Sequence, residues 1–145
     1  MVVLLDSNIL LRGCHPLHPH FPVVMRAMNG LRGRSDELAI TQQNVVEFWS
    51  VATGPQSGNG LGLTAEQTIA EFETLNQIFT VLPEVPLHAE WLRLVTTYRV
   101  SGKNVHDARL VAAMVVHGVE QILTFNGADF ARYAEISVLD PFQIS

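Results

Sequence analysis

The chain has 145 residues, 48% of them apolar, a single cysteine and a formal net charge of −5. That length fits one domain, residues 1–145, able to bury about two-thirds of its unfolded surface, and a mean hydropathy of +0.21 suits an α/β domain with a dry sheet. Lone Cys14 excludes an internal disulfide and fits a reducing cytoplasm, the longest purely apolar run (Leu110 to Val116) falls far short of a membrane span, and the start of the chain lacks the basic segment of a signal peptide.

Val2-Val3-Leu4-Leu5 reads as a short strand buried on both faces, as at the centre of a parallel sheet. Asp6 falls where this strand ends. Ligands of open α/β sheets bind outside the carboxyl ends of the strands, so Asp6 is aimed at the functional edge. Ser7 and Asn8 are cap-type residues that let Ile9-Leu10-Leu11 begin a helix, and Asp6 is equally readable as the cap of that helix. Cys14 to Pro22 holds three prolines and three histidines and reads as a loop. Zinc ligation by Cys14, His15, His18 and His20 is disfavoured, because no second ligand cluster follows at finger-like spacing.

Val23 to Leu31 supports a helix, Leu38-Ala39-Ile40-Thr41 a second buried strand, and Thr41 a cap for a helix whose stripe is Val45, Phe48, Trp49 and Ala52. Glu47 flanks that stripe, either as a partly buried functional group or as an edge residue reaching water. The stretch from Gly54 to Gly62 is a plain loop. It lacks the Lys-Ser/Thr ending of a P-loop and the preceding strand of a dinucleotide turn. Thr64-Ala65-Glu66-Gln67 has the capping-box pattern and opens a helix carrying Ile69, Phe72 and Leu75 or Asn76. Phe79 to Leu82 reads as a third strand, and Pro86 starts a helix through about Val100.

Val105 to Gly118 reads as a helix that is apolar nearly all round after its first turn, hence buried, with Asp107 in the first turn and Gly118 as its C-cap. Gln121 to Phe125 is a fourth strand, Asn126-Gly127 a turn, Asp129-Phe130 the start of a short helix, and Ile136 to Leu139 a fifth strand. The resulting order, β-α-α-β-α-α-β-α-α-β-α-β, calls for a parallel sheet with helices on both faces.

Charge is unevenly spread. Residues 1–35 carry Arg12, Arg26, Arg32 and Arg34 against Asp6 alone, whereas residues 36–90 carry eight acids and no Lys or Arg. Such an arginine segment either holds a few phosphates or is a solvated face. If the fold brings Asp6, Glu47, Asp107 and Asp129 to one edge, they repel by about 4 kcal/mol per pair at 4 Å and an effective dielectric of 20. A hard cation, Mg²⁺ or Mn²⁺, makes that arrangement reasonable at neutral pH. The residues thus lead to metal-dependent phosphoester chemistry, provided the acids converge.

Asp6-Ser7-Asn8 after an apolar strand, Glu47 after Asn44-Val45-Val46, Asp107-Ala108-Arg109-Leu110-Val111-Ala112-Ala113, and Ile122 to Phe130 resemble the motifs of PIN domains, in order and spacing over essentially the whole chain. Size and layout are similar to the VapC ribonuclease toxins of toxin–antitoxin pairs. The resemblance implies a PIN-like three-layer α/β/α fold with a parallel sheet of about five strands and a Mg²⁺ or Mn²⁺ site. It also implies hydrolysis of RNA by a metal-activated water to give 5′-phosphate and 3′-hydroxyl ends, a homodimer, and a cognate antitoxin.

By the same resemblance Asp6 and Asp107 are the principal metal ligands and Glu47 the third acid. Asn8 orients the first carboxylate, and Thr124 is the hydroxyl beside the fourth position. At that fourth position many relatives carry Asp; this chain has Asn126, with Asp129 three residues later. Arg12, Arg32 and Arg34 are the candidates to grip RNA phosphates. A phosphorelay receiver is disfavoured by the single early acid and the lack of Lys after Lys103, and a haloacid-dehalogenase-like phosphatase by Asn8 in the second place of Asp-x-Asp. The alternative is a non-catalytic PIN module that binds RNA or a protein partner.

Overall fold

In the computed structural model, which describes residues 1–145, five strands form one sheet: β1 (Val2–Leu5), β2 (Glu37–Ile40), β3 (Thr80–Val81), β4 (Gln121–Leu123) and β5 (Ser137–Leu139). The order is β3-β2-β1-β4-β5 and every pairing is parallel, as the sequence leads one to expect of a PIN-like fold. The chain adds strands on one side of β1 up to β3 and then crosses to the other side for β4 and β5. The topological switch point therefore lies at the carboxyl ends of β1 and β4, where such sheets bind their ligands.

Seven helices cover the sheet: α1 (Ser7–Gly13), α2 (Phe21–Gly33), α3 (Gln42–Ala52), α4 (Ala65–Asn76), α5 (His88–Thr97), α6 (Asn104–His117) and α7 (Gly127–Phe130). The period of two along a strand sends alternate residues of β1 to opposite faces. Val3 and Leu5 join a core with Ile9, Val24, Met28, Leu31 and Phe48, against α1, α2 and α3. Leu4 joins the other core, with Leu94 of α5, Val111 and Met114 of α6, and Phe130 of α7. All of these residues are at most 3% exposed.

The elements start close to where their chemistry places them. Thr41 and Thr64 each form a reciprocal capping box, with Asn44 and Gln67 respectively. Gly118 closes α6 in the left-handed conformation, φ +70°, that disfavours a side chain. Several boundaries shift. α2 takes in Phe21 and Pro22 from the anticipated loop, β4 ends at Leu123 ahead of Phe125, the helix anticipated from Pro86 begins at His88, α7 begins at Gly127 ahead of Asp129, and the loop from Gly54 contains one turn of 3₁₀ helix, Gln56–Gly58. The apolar α6 is not buried all round: Val116 is 47% exposed. No helix is long and apolar enough to cross a membrane.

Candidate metal and phosphodiester site

Asp6 leaves β1 with its backbone N–H still bonded across the sheet to the carbonyl of Leu123, 3.0 Å away. Its side chain then turns into a set of donors. Oδ1 accepts from the Ser7 N–H at 2.7 Å, which makes Asp6 the N-cap of α1, and Oδ2 accepts from the Thr124 hydroxyl at 2.7 Å and from the Asn8 amide at 3.4 Å. The two readings of Asp6, cap and site carboxylate, are thus compatible, because the cap occupies one oxygen. Asn8 also donates to Thr124 Oγ1 (3.4 Å) and accepts from the Phe125 N–H (3.4 Å), tying α1 to the end of β4.

Glu47 is half-buried on α3 and faces Asp6 through Ser7, whose hydroxyl donates to Glu47 Oε2 at 3.0 Å. Ser7 Oγ accepts in turn from the Asn44 amide (3.2 Å), and Asn44 is itself locked in the capping box with Thr41. Gln43 holds the other Glu47 oxygen at 2.8 Å, reaches the His106 carbonyl at 2.9 Å, and accepts from Arg109 at 3.0 Å, which couples α3 to α6. Ser7, Gln43, Asn44 and Arg109 were missed as site residues. Their available signals were local, the Thr41-x-x-Asn44 cap spacing and the i, i+4 spacing of Gln43 and Glu47.

Asp107 sits half-buried in the first turn of α6 and Asp129 half-buried in α7. Burial, followed by the charges of Asp6, Asp129 and Glu47, pushes the Asp107 carboxyl up to about 6, against which His106 acts weakly. The Asp6 carboxyl is raised as well, chiefly by burial and then by Glu47 and Asp129, while the Thr124 and Ser7 hydrogen bonds oppose the rise. The four acids therefore share one field at the carboxyl edge of the sheet. Neither the Asp107 nor the Asp129 side chain has a hydrogen-bond donor, so both keep free oxygen lone pairs.

An all-oxygen donor set with surplus negative charge suits a hard divalent cation. No three His, Cys, Asp or Glu side chains close into a ready ligand cage, but Mg²⁺ keeps several waters and is held through one or two carboxylates. Asp6 and Asp107 fit that requirement. Cys14 offers no thiolate to a softer metal, since its Sγ lies 3.3 Å from the Leu11 carbonyl and burial raises its thiol to about 11.

The remaining residues divide by location. Asn126 follows at the mouth of the site, exposed, its N–H bonded to Thr124 Oγ1 at 3.0 Å and its side chain free. Arg12 lines a recess with Asn8 and Asn126 beside the acids. Arg32 and Arg34 lie elsewhere: Arg34 pairs with Asp36 at 3.1 Å, and Asp36 pairs with the chain's own N-terminus at 3.2 Å. A helix that precedes a parallel strand must end at the sheet's amino-terminal edge, so α2 carries these two arginines away from the carboxylates. Of the three arginines, Arg12 alone lies beside the acids.

The hydroxyl of Thr124, which is 2% exposed, should be the main brace of Asp6. Thr124→Val removes a hydrogen bond to a charged group and strands the donors of Asn8 and Asn126. We expect a loss of about 1.5–3 kcal/mol in urea denaturation, with weaker Mg²⁺ binding by calorimetry, and near-native behaviour in Thr124→Ser. A Thr124→Val variant with native stability and Mg²⁺ affinity would show that the hydroxyl does not hold Asp6.

No protein-family model and no curated protein sequence matches the chain. Solved structures do. A chain of VapBC2 from Rickettsia felis, solved with a fragment of its promoter DNA, superposes with a TM-score of 0.69 at 12% identity, covering 97% of this chain and 98% of that one. VapBC-1 from nontypeable Haemophilus influenzae gives 0.67 at 18% identity over 99% and 100% of the two chains. VapC20 from Mycobacterium tuberculosis, described as a sarcin-ricin loop cleaving toxin, gives 0.65 at 14% identity over 92% and 98%. At such identities it is the architecture that is shared: this chain has the PIN-like α/β/α fold found in these VapC and VapBC structures.

Proposed function

We propose that this protein is a Mg²⁺- or Mn²⁺-dependent endoribonuclease that hydrolyses RNA phosphodiester bonds and acts as the toxin of a toxin–antitoxin pair. The observation that carries the reading is the meeting of Asp6, Glu47, Asp107 and Asp129 at the switch point of the sheet, with Asp107 pushed up to about 6 by burial and by the other three. Likeness in fold to VapBC structures supports a cognate antitoxin as partner, likeness to a sarcin-ricin loop cleaving toxin supports RNA as substrate, and the PIN resemblance adds a homodimer.

Asp6 and Asp107 would hold the cation, which supplies charge neutralisation at the phosphoryl group and a water of lowered pKa. The chain's own contribution is preorganisation. Thr124, Ser7 and Asn8 fix both oxygens of Asp6, and Ser7 and Gln43 fix both oxygens of Glu47. Neither carboxylate then has to reorient when the substrate arrives. Asp129 adds unpaired negative charge, and Asn126 presents a neutral amide that can donate to a phosphate oxygen.

The test is cleavage of a labelled single-stranded RNA with Mg²⁺ or Mn²⁺ and after EDTA. Cleavage that needs the metal and leaves 5′-phosphate ends is expected. Full activity in EDTA, or a 2′,3′-cyclic phosphate product, would overturn the metal mechanism. RNA binding that never leads to a cut with either metal would favour the binding-only module.

A further inference from the structure

The loop between α1 and α2 delivers three imidazoles to the same end of the sheet as the carboxylates. The rings of His15 and His18 are 5.3 Å apart and those of His18 and His20 5.0 Å apart. His20 then stacks nearly parallel on Phe125 (4.7 Å, 18°), and Phe142 closes edge-on against both. Phe125 is the residue after Thr124, and its N–H donates to Asn8. The ring stack is thus fixed to the network that holds Asp6.

His20 occupies the N-cap position of α2 but makes no capping hydrogen bond, so its ring is committed to the stack alone. His18 Nδ1 accepts from the His20 N–H at 3.0 Å. That bond leaves the proton on Nε2, where it is a free donor. Burial, then the charge of Arg12 and the neighbouring imidazoles, lowers the His18 pKa, consistent with a neutral ring. Arg12, in the last turn of α1, makes no ion pair. Together with Asn126 and its unbonded amide, these groups line an open recess of about 280 Å³.

Flat aromatic rings, one unpaired guanidinium and a free amide are the parts of a nucleotide subsite: aromatic faces stack a base of any identity, and Arg takes the phosphate. We propose that this recess binds the nucleoside adjoining the scissile phosphate of single-stranded RNA, its base stacked on the His18–His20–Phe125 rings and its phosphate on Arg12. The assignment of the scissile phosphate rests on the nuclease reading; the base site itself does not. An acidic peptide is the poorer occupant, because it would bring further carboxylates against Asp6 and Asp107.

The probes are adenosine 5′-monophosphate and ribose 5-phosphate, titrated into the full chain in EDTA while the histidine and phenylalanine ring protons are followed by NMR. We expect the nucleotide to shift the His18, His20 and Phe125 ring resonances and the base-free sugar phosphate to leave them in place. His20→Ala should weaken nucleotide binding roughly fivefold or more, His20→Phe should retain it, and Arg12→Gln should weaken both probes. With RNA as substrate, His20→Ala should raise KM more than it lowers kcat. Equal ring shifts from both probes, an unaltered nucleotide affinity in His20→Ala, or saturation of the rings by phenylalaninamide but not by the nucleotide would overturn the proposal. Base-dependent ring shifts in a protein that cuts no RNA would retain the subsite and discard the nuclease reading.

Discussion

Asp107→Asn is expected to lower RNA cleavage at saturating Mg²⁺ by at least about 100-fold, a barrier increase of about 2.7 kcal/mol, while raising the Tm of the metal-free protein at pH 7. Both effects have one cause. The Asp107 carboxyl moves from its ordinary 3.8 to about 6 because burial and three neighbouring acids disfavour its charge. Between these values the folded chain binds more protons than the unfolded one, so its contribution to stability is present at low pH and is lost as pH rises from about 4 to about 6. An amide has no charge to disfavour. Wild type and variant should therefore melt alike near pH 4 in EDTA and diverge by pH 7, the variant being the more stable. Mg²⁺ should stabilise the wild type and leave the variant nearly unmoved. Asp6→Asn should abolish cleavage too while keeping the cap of α1, since Asn caps a helix about as well as Asp. An active Asp107→Asn, or one that melts lower than wild type at pH 7, would contradict the shared-field account.

What the sequence discloses about this site follows from how local each signal is. Asp6 was legible because four branched residues form a buried strand and the next position must lie at its carboxyl end. Asp107 was legible as a first-turn acid on a helix too apolar to be exposed. Bringing these residues together with Glu47 required the resemblance, since nothing in a spacing of 41 or 60 residues fixes a distance. The bracing residues stayed hidden for the same reason: Ser7 meets Glu47 across 40 positions and Thr124 meets Asp6 across 118. Ser7 looks in the sequence like any cap-box residue, and only the packing of α1 against α3 gives it a second role.

The arginines show how a linear tally misleads. Four bases against one acid in residues 1–35 describe a segment, but that segment runs from one edge of the sheet to the other and back. Arg12 ends α1 close to Asn8, whereas Arg34, beyond α2, neutralises Asp36 beside the N-terminus. Charge along the chain becomes a patch only if topology folds it onto one face. Here it splits, leaving a single cation by the recess and a local ion-pair cluster at the far edge.

Asp129→Asn should cut the cleavage rate tenfold or more, about 1.4 kcal/mol of barrier, without destabilising the protein. Asp129-Phe130 stand in the sequence at the start of a short helix, a place where an Asp commonly serves as the cap. The geometry removes that role: α7 spans Gly127–Phe130, its N-cap position is Asn126, and Asp129 is the third helical residue, with a side chain that caps nothing. Phe130, 1% exposed, pins the helix from the other side, so the position of Asp129 is set by packing and its carboxylate is free to act through charge. That charge already raises Asp107 and Asp6. A direct readout follows that does not depend on turnover: in Asp129→Asn the Asp107 carboxyl, followed by carbon NMR without metal, should titrate below its wild-type midpoint of about 6. Mg²⁺ affinity should fall with it. Asn126→Asp is the converse experiment, placing an acid where the PIN resemblance implies a fourth carboxylate; it should tighten Mg²⁺ binding and lower the metal-free Tm, because a fifth negative charge joins the same field. Should Asp129→Asn keep full activity and leave the Asp107 midpoint in place, Asp6, Glu47 and Asp107 suffice, and Asp129 is merely a solvated residue of α7.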